Sequence, residues 1–124
     1  MRILTTILTS KEIDKFQRCL NSVIPQTECL VICNTLDNDY AKQVEITCST
    51  QPVRYIRTES TGWPSGGKQT VLDYFSQTDY DYLFLIEGDD FIYPNTIEIL
   101  NEMVEKHHPI DILALTNQEV LMGE

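Results

Sequence analysis

The residues with the clearest chemical content are Glu87-Gly88-Asp89-Asp90, three carboxylates in four positions. Like charges this close destabilise one another unless water or a cation spreads them. An all-oxygen ligand set suits Mg2+ or Mn2+, which usually share their coordination with substrate phosphates. A solvated acidic turn ahead of a helix would look the same in isolation. Two neighbours argue for the metal: the turn follows Tyr82-Leu83-Phe84-Leu85-Ile86, the strongest strand signal in the chain, and precedes Pro94-Asn95. Ligands of α/β sheets gather beyond the carboxyl ends of strands, where this cluster falls.

A second segment, Gly62-Trp63-Pro64-Ser65-Gly66-Gly67-Lys68-Gln69-Thr70, nearly matches the phosphate loop Gly-x-x-x-x-Gly-Lys-[Ser/Thr]. Gln69 stands where the metal-binding hydroxyl belongs, and a polar stretch separates the loop from the preceding strand. A P-loop nucleotide hydrolase or kinase is therefore the weaker alternative. Trp63 either stacks on a base or sugar or anchors its loop to the core. His107 and His108 end a helix before Pro109, where cationic side chains suit the dipole, and they read as structural. Glu119 reads as a surface carboxylate, so no catalytic base is assigned. The four cysteines, Cys19, Cys29, Cys33 and Cys48, contain no Cys-x-x-Cys pair and read as buried free thiols of a reducing compartment.

The elements that position these residues follow from hydrophobic period. Residues 3–8 form a buried strand, and Ser10 can cap the next helix with Glu12 in its first turn. Ile13, Phe16, Leu20, Val23 and Ile24 make one apolar stripe that ends before Pro25. A short strand over 29–33 leads to the polar turn 34–39 and a weak helix near 40–47. Residues 53–57 alternate as an edge strand before the glycine-rich loop 61–67. A helix over 68–76 turns Val71, Leu72 and Phe75 inward, and 82–86 forms a strand expected to be central. Asn95 caps a helix with Glu98 as its capping-box partner and Ile97, Leu100 and Val104 inward. Residues 110–115 supply a last strand. Strand and helix alternate throughout, which predicts an α/β domain over 1–124 with a mostly parallel sheet and helices on both faces. Thr9-Ser10, 34–39 and 87–90 would meet in one crevice.

At 124 residues and a formal charge of −10, the chain fits one domain and would repel a nucleic-acid backbone. A metal or a local cation could still bring in a phosphate ligand. The amino terminus lacks a signal-peptide core, and the longest apolar run is far short of a membrane span. A cytoplasmic location is expected.

The run Tyr82-Leu83-Phe84-Leu85-Ile86-Glu87-Gly88-Asp89-Asp90-Phe91-Ile92-Tyr93-Pro94 resembles the strand, Asp-x-Asp motif and following proline of family-2 glycosyltransferases of the GT-A kind. The opening strand, Leu20-Asn21-Ser22-Val23, the polar turn after the second strand and Ser65-Gly66-Gly67-Lys68 fall in that family's order. The resemblance implies the nucleoside-diphosphate-sugar-binding half of such an enzyme. Thr9 and Asn34 would approach the nucleoside, Lys68 would steady the phosphates, Glu87 would meet the ribose or the metal shell, and Asp89 with Asp90 would hold Mn2+ or Mg2+. Glu87 replaces the family's usual aspartate, and Asn34 an acidic residue that faces the base. The acceptor-binding segment and general base of that family lie beyond the last strand. The resemblance thus implies an unidentified acceptor and either a fragment, a completing partner chain, or a module that binds without transferring.

Overall fold

The computed structural model describes residues 2–59 and 64–108, with backbone alone for 64–66. Strands and helices alternate: β1 (Ile3–Thr9), α1 (Ile13–Val23), β2 (Cys29–Asn34), α2 (Asn38–Ser49), β3 (Val53–Thr58), α3 (Pro64–Ser76), β4 (Tyr82–Glu87) and α4 (Thr96–His107). The four described strands form one parallel sheet in the order β3-β2-β1-β4. The α/β architecture with a parallel sheet is thus the one the sequence predicts. The last strand expected at 110–115 lies outside the described residues, as do Trp63 and Glu119.

Period-2 alternation sends each strand's side chains to two cores. On one face Ile7, Cys29, Val31, Cys33 and Ile86 pack against Phe16, Cys19, Leu20 and Val23 of α1 and against Tyr40, Ala41, Val44 and Cys48 of α2. On the other, Leu4, Leu8, Leu30 and Ile32 meet Val71 of α3, with Tyr74, Phe75, Leu83 and Leu85 partly buried around them. Both faces of β1 and β2 are covered, which is why their side chains are buried almost throughout.

Several local expectations change. Ser10 does not cap α1; Glu12 occupies the cap position in a left-handed conformation (φ 66°) with no side-chain cap bond. Asn95 likewise precedes α4 at φ 71° and makes no side-chain cap, so the capping box with Glu98 is not formed. Asparagine tolerates that conformation, and the cap position demands a turn before it demands an acceptor. The cap that does form is Asp37, whose carboxylate accepts from the Tyr40 amide at 3.1 Å and starts α2 earlier than the pattern suggests. Pro64 opens α3, so residues 64–67 are helix rather than loop, as suits a proline in a first turn. Within α3, Val71 is buried but Leu72 is 53% exposed, because Tyr74 and Phe75 share the inward face instead. Among the described strands β4 lies at the end of the sheet and β1 and β2 have neighbours on both sides.

All four cysteines are free and buried, lining one core between β1, β2, α1 and α2. Burial raises their thiols above the ordinary value of 9.0, to about 12 for Cys19 and Cys29 and about 11 for Cys33 and Cys48. Between 9.0 and these raised values the folded chain holds protons that the unfolded chain has lost, so unfolding becomes easier as pH rises. The urea midpoint is expected to be flat up to about pH 8 and to fall steadily from there to pH 11. A thiol reagent should leave all four cysteines unmodified until urea is added.

Candidate functional site

The parallel register determines which groups share the carboxyl edge of the sheet. Leu8 of β1 lies beside Glu87 of β4, Thr9 beside Cys33 of β2, and Asn34 beside Thr58 of β3. The Gly88 amide donates to the Leu8 carbonyl at 2.7 Å, carrying the ladder one residue past β4. The Asp90 amide then donates to the Glu87 carbonyl at 3.0 Å, closing a turn that leaves Asp89 and Asp90 exposed. Glycine at 88 is required by proximity: a Cβ there would lie 2.7 Å from both Cβ and Oγ1 of Thr9. Gly67 is also closely packed: a Cβ there would meet Leu8 Cδ1 at 2.6 Å, the end of a side chain that would have to shift, and Asn34 Cβ at 3.3 Å. The first turn of α3 therefore rests on the ends of β1 and β2.

That seat brings Lys68 to the acidic turn. Its Nζ lies 3.6 Å from Glu87 Oε1, with both side chains 49% exposed. A pair so open contributes about 0–1 kcal/mol, so either partner can exchange it for a ligand at little cost. The arrangement is not that of a phosphate loop. Residues 64–67 are already helical, β3 is an edge strand ending at Thr58, and Gln69 turns to Asp73 at 2.9 Å.

Thr9 and Asn34 form the floor of this edge. Thr9 is buried and its hydroxyl shares a hydrogen bond with the Tyr40 hydroxyl, which in turn donates to the Lys11 carbonyl at 3.1 Å. Burial pushes the Tyr40 phenol up to about 12, so it stays a neutral donor. Asn34, only 4% exposed, accepts from Thr58 Oγ1 at 2.9 Å through its side-chain oxygen. Beside it, Arg57 donates to the Thr35 carbonyl at 3.3 Å and to Asn38 Oδ1 at 2.8 Å, and pairs with Glu59 at 3.3 Å. Arg57 thereby ties the turn after β2 to the end of β3.

The structure thus gathers Thr9, Asn34, Lys68, Glu87, Asp89 and Asp90 at one edge. Sequence reasoning missed Tyr40, Arg57 and Arg18. Arg18, on α1, donates to the Asp89 carbonyl at 3.0 Å. Tyr40 was assigned to a helix, but a phenol three residues past a capping aspartate carries no sign of which strand it will meet.

The donors that the acidic turn offers a divalent metal are carboxylates. Among the described residues no three His, Cys, Asp or Glu side chains converge as a protein-only cage requires. Glu87 is engaged by Lys68, which leaves the exposed carboxylates of Asp89 and Asp90. One or two carboxylates completed by substrate phosphates is how Mg2+ is commonly bound, so the donor set fits an open, substrate-completed site.

Comparison with known proteins identifies the family and the fold. The sequence matches the family described as Glycosyl transferase family 2 over residues 6–118. No curated protein sequence matches it significantly. The fold is similar to that of S. aureus TarS: a crystal structure of its residues 1-349 superposes with a TM-score of 0.64 at 17% identity, covering 85% of this chain and 33% of that one. A longer TarS structure gives 0.66 at 18% identity, covering 87% and 20%. TarS 1-349 in complex with UDP-GlcNAc gives 0.65 at 20% identity, covering 87% and 32%. The chain thus spans a third or less of the structures it resembles.

Replacing Tyr40 by phenylalanine strands the buried Thr9 hydroxyl. Tyr40→Phe is expected to cost about 1–3 kcal/mol, the penalty of an unpaired buried polar group. Adding Thr9→Val should recover part of that loss, which a double-mutant cycle by urea unfolding would measure.

Proposed function

The chain belongs to glycosyl transferase family 2, and from that premise we propose that it forms the donor-binding half of a glycosyltransferase that takes a sugar from a nucleoside-diphosphate donor with Mn2+ or Mg2+. The observation that carries the reading is the position of the acidic turn. β1 pairs with β2 on one side and β4 on the other, so Thr9 and Gly88 flank the point where strand order reverses. Crevices at such points are where α/β sheets take nucleotides.

In this reading the nucleoside lies over the ends of β1 and β2, against the floor made by Thr9 and Asn34. Asp89 and Asp90 hold the metal, which when bound stabilises the negative charge that gathers on the departing diphosphate. Lys68 exchanges its open contact with Glu87 for a phosphate oxygen, and Glu87 is freed toward the ribose or the metal's outer shell. Against the −10 net charge, a metal or a local cation such as Lys68 offsets the repulsion between protein and diphosphate. UDP is the natural probe, since TarS 1-349 has been crystallised with UDP and with UDP-GlcNAc. Four free buried thiols favour a reducing compartment such as the cytoplasm. Among the described residues no helix is long and apolar enough to cross a membrane.

The reading is tested by calorimetric titration of UDP in the presence of Mn2+ or of a chelator. Binding should require the metal and weaken more than about 10-fold in Asp89→Asn, since even supporting groups of a metal site cost that much. The variant should melt no lower than the parent, because one of three crowded charges is removed. UDP affinity indifferent to both chelator and Asp89→Asn would sink the metal assignment. A preference for ATP that disappears on changing Lys68 would return the phosphate-loop reading.

A further inference from the structure

The acidic turn has no regular structure between β4 and α4, yet its main chain is bonded at successive points along one face of α1 and the turn that continues it. Cys19 Sγ reaches the Glu87 carbonyl at 3.8 Å. Arg18 Nη2 donates to the Asp89 carbonyl at 3.0 Å, and its guanidinium lies 4.6 Å over the Phe91 ring. Phe91 in turn packs edge-on to Tyr93 at 5.6 Å. Ser22 Oγ accepts from the Ile92 amide at 3.1 Å while donating to the Cys19 carbonyl at 2.6 Å. Gln26 makes three bonds: Nε2 donates to the Ser22 carbonyl at 2.9 Å and the Tyr93 carbonyl at 3.0 Å, and Oε1 accepts from the Ile97 amide at 3.0 Å.

We propose that Arg18, Ser22 and Gln26 are positioning residues, a strut that holds the 87–97 main chain so that Asp89 and Asp90 present their carboxylates together to a divalent metal. The inference rests on the donor-site reading above. Arg18 and Ser22, four residues apart, share one face of α1 beside the apolar stripe that fixes it to the sheet, and Gln26 follows in the turn after the helix. The hydrogen bonds they make to the 87–97 segment end on main chain, so the strut sets the path of the turn without occupying its carboxylates.

Arg18 makes the proposal separable from simple electrostatics. A cation beside the turn repels a metal ion, so if charge alone mattered, Arg18→Ala would tighten Mn2+ binding. Positioning predicts the opposite: Arg18→Ala and Gln26→Leu each weaken Mn2+-dependent UDP binding about 10-fold, the size seen when a supporting shell is lost. Arg18→Lys keeps a donor for the Asp89 carbonyl and should recover part of the loss. Melting temperatures, measured without metal, show that each variant is folded. Amide hydrogen exchange in the metal-free chain provides the second readout: Ile92 should exchange faster in Ser22→Ala and Ile97 faster in Gln26→Leu. Unchanged exchange at both amides, or Mn2+–UDP affinity equal to or tighter than the parent's in folded Arg18→Ala and Gln26→Leu, overturns the strut. Absence of Mn2+–UDP binding in the parent chain is the distinct failure of the donor-site reading and overturns the inference with it.

Discussion

β1 and β4 run parallel in unbroken register from Ile3 beside Tyr82 to Leu8 beside Glu87, and the Gly88 amide adds one further bond to the Leu8 carbonyl. A parallel ladder with one side chain per step allows no slippage here, because a shift of one residue would turn Leu83 and Leu85 out of one core and Phe84 and Ile86 out of the other. The register therefore decides that the acidic turn leaves the sheet beside Thr9. It also decides that residue 88 has no space for a side chain. The seat of Gly67 on Leu8 and Asn34 follows from the same strand, since both faces of β1 must be covered.

The charges around this edge are arranged unequally. Asp89 and Asp90 lie exposed, where water reduces their repulsion, and their field reaches Cys19 beneath them, adding to the burial that raises its thiol to about 12. Two cations approach the turn in different ways. Lys68 meets a carboxylate through an open, weak pair; Arg18 meets a main-chain carbonyl and a ring. The first contact is cheap to exchange and the second is structural. An edge with a replaceable cation above it and a fixed one below suits a ligand that arrives with its own negative charge and a metal.

The neutral groups beneath complete the contrast. Thr9 of β1 is bonded to Tyr40 of α2, and Asn34 of β2 to Thr58 of β3, so the floor of the crevice is formed before any ligand enters. Burial keeps Tyr40 protonated, and Asp37 anchors the helix that carries it. Rigid elements set the floor, and the acidic turn is an irregular stretch supported by a neighbouring helix.

Much of this was legible in the sequence. The apolar runs at 3–8, 29–33 and 82–86 and the stripe from Ile13 to Ile24 identify strands and helix because periods of 2 and 3.6 are imposed by the backbone itself. The acidic cluster, and the strand-end rule that puts it beside Thr9 and Asn34, also follow from residue types in order. Helix starts were less legible: Ser10 has the chemistry of a cap but Glu12 takes the cap position, and Asn95 takes it in a left-handed conformation without a side-chain cap bond. Only the tertiary structure turned Leu72 to solvent, paired Lys68 with Glu87 and Tyr40 with Thr9, and laid Arg18, Ser22 and Gln26 along the acidic turn. Those contacts join residues 19 to 71 positions apart, and no local period encodes them. They exist because packing helices and a turn onto one strand edge brings these polar groups within reach of one another.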